Sequence, residues 1–79
     1  MEYKTKDFYL SALLLSKGFK MIGSEKKTER TVFFIFEYED YSDLNDILTD
    51  FINMTATVNV KKFVFSLNTI RAELSKHRD

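Results

Sequence analysis

The sequence predicts a small α+β domain, a three-stranded and at least partly antiparallel sheet with three helices in the order α-β-β-α-β-α. Three observations lead there. An apolar stretch of helical length ends at Gly18, the run TVFFIFEY at 31–38 is almost wholly β-branched and aromatic, and two later segments repeat apolar residues with the helical period. Seventy-nine residues are enough for one domain and too few for two, so residues 1–79 are read as a single unit with 76–79 as a frayed tail lacking an apolar anchor.

The first helix is expected over 5–17. Thr5 is placed to cap it, Asp7 suits the positive end of its dipole, Lys17 the negative end, and Gly18 stops it. Phe8, Leu10, Ala12, Leu13, Leu14 and Leu15 cover more than half its circumference, so it packs on more than one side or lies under a partner. A short strand follows over 19–23, and the polar stretch 24–30 reads as a mobile hairpin connection into the strong strand at 31–38. In that strand Val32, Phe34, Phe36 and Tyr38 share one face, with Phe33 and Ile35 on the other. Apolar groups on both faces imply a strand covered on both sides or an exposed face used for association.

Ser42 reads as the cap of a second helix reaching Asn53, with Leu44, Ile47, Leu48, Phe51 and Ile52 in one stripe and Asp43, Asp46 and Asp50 outside it. Residues 55–59, rich in β-branched side chains, are expected as a third strand. Asn59 then caps a helix over 60–76 whose inner face is Phe63, Leu67, Ile70 and Leu74, with Val64 flanking it.

The segments Tyr3–Leu10, Ala12, Leu14, Lys17-Gly18-Phe19-Lys20, the charged turn before Val32–Glu37, and Val58-Asn59 ahead of Lys62-Phe63 together resemble a small domain of unknown function found in uncharacterised phage, archaeal and bacterial proteins. The resemblance covers nearly the whole chain. Val60 stands where that pattern has Pro, and the approach at Thr55-Ala56 lacks its Gly. The resemblance implies a short stand-alone product in a mobile-element setting and transfers no site residues.

The chemistry that sequence can exclude is extensive. There is no Cys, hence no disulfide, thiolate metal site or cysteine nucleophile. His77 is the sole histidine and is expected to be exposed at the chain end. Glu37, Glu39, Asp40 and Asp43 do not follow the alternating spacing of a calcium loop and read as a solvated helix approach. Gly18 and Gly23 are isolated, whereas a phosphate-cradling loop needs closely spaced glycines. No catalytic, cofactor-binding or metal-ligating residue is therefore expected, and no small-molecule substrate. Nothing in the chain is long and apolar enough to span a bilayer or to act as a leader, so a complete cytoplasmic protein is the expectation.

A non-enzymatic protein-interaction module, an adaptor or inhibitor acting on a host protein or a homodimer, is the favoured function. Its candidate interface comprises Tyr9, Phe33, Ile35, Tyr38 and Tyr41, with Asp43, Asp46 and Asp50 as an acidic docking surface. The alternative is a nucleic-acid-binding accessory protein that uses Lys20, Lys26, Lys27 and Arg30. Zero formal net charge and the interspersed Glu25 and Glu29 argue against it.

Overall fold

A computed structural model describes residues 1–78, and its elements run β1 (Glu2–Thr5), α1 (Phe8–Ser16), β2 (Lys20–Thr28), β3 (Thr31–Glu37), α2 (Tyr41–Ile52) and α3 (Val60–Ser75). The strands form one sheet in the order β1-β3-β2, antiparallel at both junctions. The class is α+β with three helices and three strands, but the order is β-α-β-β-α-α, which corrects the expected α-β-β-α-β-α.

Two segments account for that correction. Residues 2–5 form a strand because Tyr3 and Thr5 turn inward while Glu2 and Lys4 turn outward, a period-two pattern too short to compete with the helical signal beside it. The cap of α1 is Asp7, whose carboxylate accepts from the Leu10 backbone N–H at 2.9 Å. Thr5 instead accepts from the Asp7 N–H at 3.1 Å, turning the chain from strand into helix. Residues 55–59, expected as a strand, run without a ladder from α2 to α3. Their β-branched character favours extended backbone, but no neighbouring strand supplies the hydrogen bonds that would make it a sheet.

β2 also extends further than expected. The polar residues 24–28 belong to it, paired through Ser24↔Phe34, Glu25↔Phe33 and Lys26↔Val32, so the connection to β3 narrows to Glu29 and Arg30. Bulges interrupt the register between Met21 and Gly23 and between Lys26 and Thr28. The remaining helix boundaries lie close to expectation. α2 begins one residue before Ser42, capped by Asp40, which accepts from the Ser42 N–H and hydroxyl at 2.8 Å each. Those two bonds hold the Asp40 carboxyl below its ordinary range. Asn59 caps α3 through a 3.0 Å bond from the Lys62 N–H.

The core lies between one face of the sheet and the helices. Leu10, Ala12, Leu13, Leu14, Phe34, Phe36, Leu44 and Ile70 are its buried apolar residues, and Tyr3, Met21, Val32, Tyr38, Phe63 and Leu67 pack around them. α1 is enclosed on nearly every side, packing chiefly on α3 and more lightly on α2, which explains why five consecutive residues from Leu10 to Leu14 are buried. Among them Ser11 satisfies its hydroxyl on the Asp7 carbonyl at 2.7 Å. Phe33, Ile35 and Ile22 stand outside this cluster, on or beside the opposite face of the sheet. No helix in the described residues is long and apolar enough to cross a membrane.

Candidate functional site

Four surface features carry enough structure to be weighed as sites. The first is the bare face of the sheet. Alternation along β3 puts Phe33 and Ile35 there, with their cross-strand partners Glu25 and Lys4 on the same side. Glu25 reaches from one edge strand to Lys4 on the other, 3.5 Å away, and pairs with Lys27 at 2.7 Å. This strap of charge crosses above the central strand and leaves Phe33 and Ile35 half-buried. The lysines, Lys27 foremost, hold the Glu25 carboxyl below its ordinary range.

The second feature joins the end of α3 to β2. Ser24 Oγ donates to Glu73 Oε2 at 2.5 Å and lies 2.7 Å from His77 Nε2, while Lys76 pairs with Glu73 at 3.0 Å. A serine, a histidine and a carboxylate in contact invite comparison with a nucleophilic triad, but the connectivity differs. In a triad the imidazole accepts the serine proton and the carboxylate orients the imidazole. Here the single hydroxyl proton goes to Glu73, so His77 Nε2 meets the oxygen as a donor. The arrangement clamps an edge strand to a helix end. His77, expected at an exposed end, is half-buried; Asp79 of the expected tail lies outside the described residues.

The third feature is a cleft of about 590 Å³ where Lys17 and Lys20 face Glu37, Glu39, Asp43 and Asp46. It divides both charge groups anticipated from sequence. Lys20 sits among carboxylates, away from Lys26, Lys27 and Arg30, and Lys26 extends to the His77 carbonyl at 3.3 Å. Asp43 and Asp46 share the cleft, but Asp50 serves the end of α2, where its backbone carbonyl accepts from the Thr55 N–H at 2.9 Å. Among the described residues no three His, Cys, Asp or Glu side chains gather to hold a metal ion. Of the tyrosines, Tyr9 and Tyr41 are exposed; Tyr38 is half-buried and meets Tyr41 edge to face at 6.1 Å.

The fourth feature escaped sequence reasoning. Of ten exposed large apolar side chains, six fall within residues 52–65: Ile52, Met54, Val58, Val60, Val64 and Phe65. Phe65 is 74% exposed and Met54 92%. A signal existed for part of this, since Val60 and Phe65 fall off the Phe63, Leu67, Ile70, Leu74 stripe of α3. None existed for Met54, which takes a left-handed backbone with φ of 58° at the end of α2.

No curated protein and no solved structure shows a significant match to this chain. A family profile does match, over residues 1–75, and by that match the chain belongs to the family described as Domain of unknown function (DUF5659).

Proposed function

We propose that this domain is a non-enzymatic protein-interaction module whose binding surface is built on the stretch 52–65. The observation that carries the reading is the concentration of exposed Ile52, Met54, Val58, Val60, Val64 and Phe65 in one length of chain. Scattered single apolar residues are ordinary on a protein surface, whereas exposed apolar groups gathered within one short stretch are costly to hydrate and offer material for an association site. Met54 strengthens the reading, because a left-handed methionine is strained and its side chain gains no burial within the domain. An adaptor or inhibitor acting on another protein, or a self-associating subunit, would use such a surface.

Nucleic-acid binding through residues 20–30 is less well supported. Lys27 is paired with Glu25, Lys26 is turned toward the end of α3, and Lys20 lies among carboxylates. Few cations remain there to neutralise a phosphate backbone.

The test compares the wild type with the double variant Ile52→Ser, Phe65→Ser. Light scattering across a concentration series reports self-association, and quantitative pull-down from the native host reports a foreign partner. The expected result is a larger solution mass or a specific retained protein that the double variant loses. Identical mass and an identical retained set for both proteins would overturn the reading.

A further inference from the structure

Beside Phe65 lies a groove of about 560 Å³ between the end of α1 and the first turns of α3, lined by Leu15, Gly18, Lys61, Lys62, Phe65 and Thr69. We propose that this groove binds an acidic peptide segment of a partner protein, with one apolar anchor side chain seated against Phe65 and carboxylates placed on Lys61 and Lys62. The inference rests on the interaction reading above and adds the chemistry of the partner.

Three observations select that occupant. Leu15 is half-buried in the groove, and the exposed ring of Phe65 stands at its rim, so an apolar side chain entering there would complete a contact that the domain leaves open. Lys61 and Lys62 are both exposed, and neither joins an ion pair among the described residues. They also occupy the first turn of α3, which contains no acidic residue. Cations at that end of a helix are disfavoured by its dipole, and no ion pair among the described residues offsets that cost. An anionic partner would, and the pairing would favour an acidic segment over a neutral one.

A nucleic acid offers negative charge too, but the groove suits it less. Two lysines supply few phosphate contacts, whereas a single apolar anchor with one or two carboxylates needs no more than that pair.

The test is selection of random twelve-residue displayed peptides on the full-length protein, followed by fluorescence anisotropy with the enriched peptides and with a fifteen-residue oligothymidylate. The expected result is enrichment of net-negative peptides carrying a Leu, Phe or Trp. Their binding should weaken at least tenfold for Phe65→Ser and for Lys61→Glu, Lys62→Glu. Replacing their acids by lysine should restore binding to the lysine-to-glutamate variant. All three substituted positions are exposed, and circular dichroism would verify that the variants remain folded. Enrichment of neutral or basic peptides that Phe65→Ser still abolishes would overturn the acidic assignment while leaving the interaction surface standing. No enrichment, or binding indifferent to these substitutions, would overturn the groove itself. Tighter binding of the oligothymidylate, lost with the same substitutions, would assign the groove to nucleic acid instead.

Discussion

Ser24 donates its hydroxyl proton to Glu73 across 49 residues of sequence, tying the outer edge of β2 to the last turn of α3. The bond matters because few other contacts join those two elements, and because β2 is an edge strand whose polar half has little apolar packing to hold it. The same bond, with the Lys76 ammonium as a further contributor, holds the Glu73 carboxyl below its ordinary value near 4.5 despite partial burial.

Ser24→Ala should therefore lower stability by about 1.5 kcal/mol at pH 7, the range for a hydrogen bond to a charged acceptor. A depressed folded-state carboxyl contributes stability that is fully present above its unfolded value and is lost as pH falls through the folded one. The wild type should lose stability progressively below about pH 4.5, and Ser24→Ala should lose less over the same interval. Urea denaturation from pH 7 to pH 2.5 measures both effects. Parallel pH profiles for the two proteins would show that Ser24 does not govern Glu73.

α1 and α2 end in the same way with different residues. At each, two backbone bonds close the last turn: Phe19 N–H to the Leu14 carbonyl and Gly18 N–H to Leu15 at 3.1 Å, and Thr55 N–H to Asp50 at 2.9 Å with Met54 N–H to Phe51 at 3.2 Å. The left-handed position is Gly18 in the first and Met54 in the second, with φ of 98° and 58°. Met54→Gly should raise stability by about 0.5–1 kcal/mol, and Gly18→Ala should lower it by about 1–2 kcal/mol. Nothing lies within 4 Å of a Cβ built on Gly18, so its cost would come from backbone conformation alone. Thermal denaturation of the two variants beside the wild type would show shifts of opposite sign. A stabilised Met54→Gly that also loses its partner would mean that the strained methionine is kept for binding.

The cap of α3 offers a third measurement. Asn59 is exposed, and its side chain supplies a 3.0 Å acceptor to an otherwise unpaired N–H in the first turn. Asn59→Ala should cost about 1 kcal/mol and Asn59→Asp should retain most of the stability. Aspartate would also set a negative charge beside Lys61 and Lys62, so in peptide-binding assays it should weaken acidic ligands even though the fold is intact. Denaturation and anisotropy on the same two variants separate these effects.

The parts of this fold that sequence made legible are those in which one residue type does one thing. Gly18 ends a helix because only glycine takes its backbone cheaply, Asn59 caps because its side chain matches the free N–H, and Phe34 and Phe36 read as sharing one face because the strand alternates. What stayed hidden depends on partners distant in sequence. β1 is four residues whose strand character exists only because β3 lies beside it, and residues 24–28 are polar yet extended for the same reason. Residues 55–59 show the converse, extended composition with no strand to pair with. The exposed surface around residues 52–65 divides likewise: the off-stripe position of Phe65 was readable, whereas the conformation of Met54 and the meeting of Leu15 with Lys61 and Lys62 in one groove were not.

Phe33 and Phe36 give the sharpest contrast between the two faces of the sheet. Phe36 is fully buried beneath the helices, and truncating it to Ala removes a large ring from a packed core. Phe36→Ala should cost about 3–5 kcal/mol, a large share of the stability of a domain this small. Phe33 lies on the other face beneath only the Lys4–Glu25–Lys27 strap, whose exposed ion pairs add little. Phe33→Ser should therefore cost less than half as much, and Glu25→Gln should leave the stability nearly unchanged. Urea midpoints for the three variants would establish the order. A loss for Phe33→Ser equal to that of Phe36→Ala would mean that the bare face carries packing this architecture does not supply, and a second copy of the chain covering it would then be sought in the concentration dependence of the midpoint.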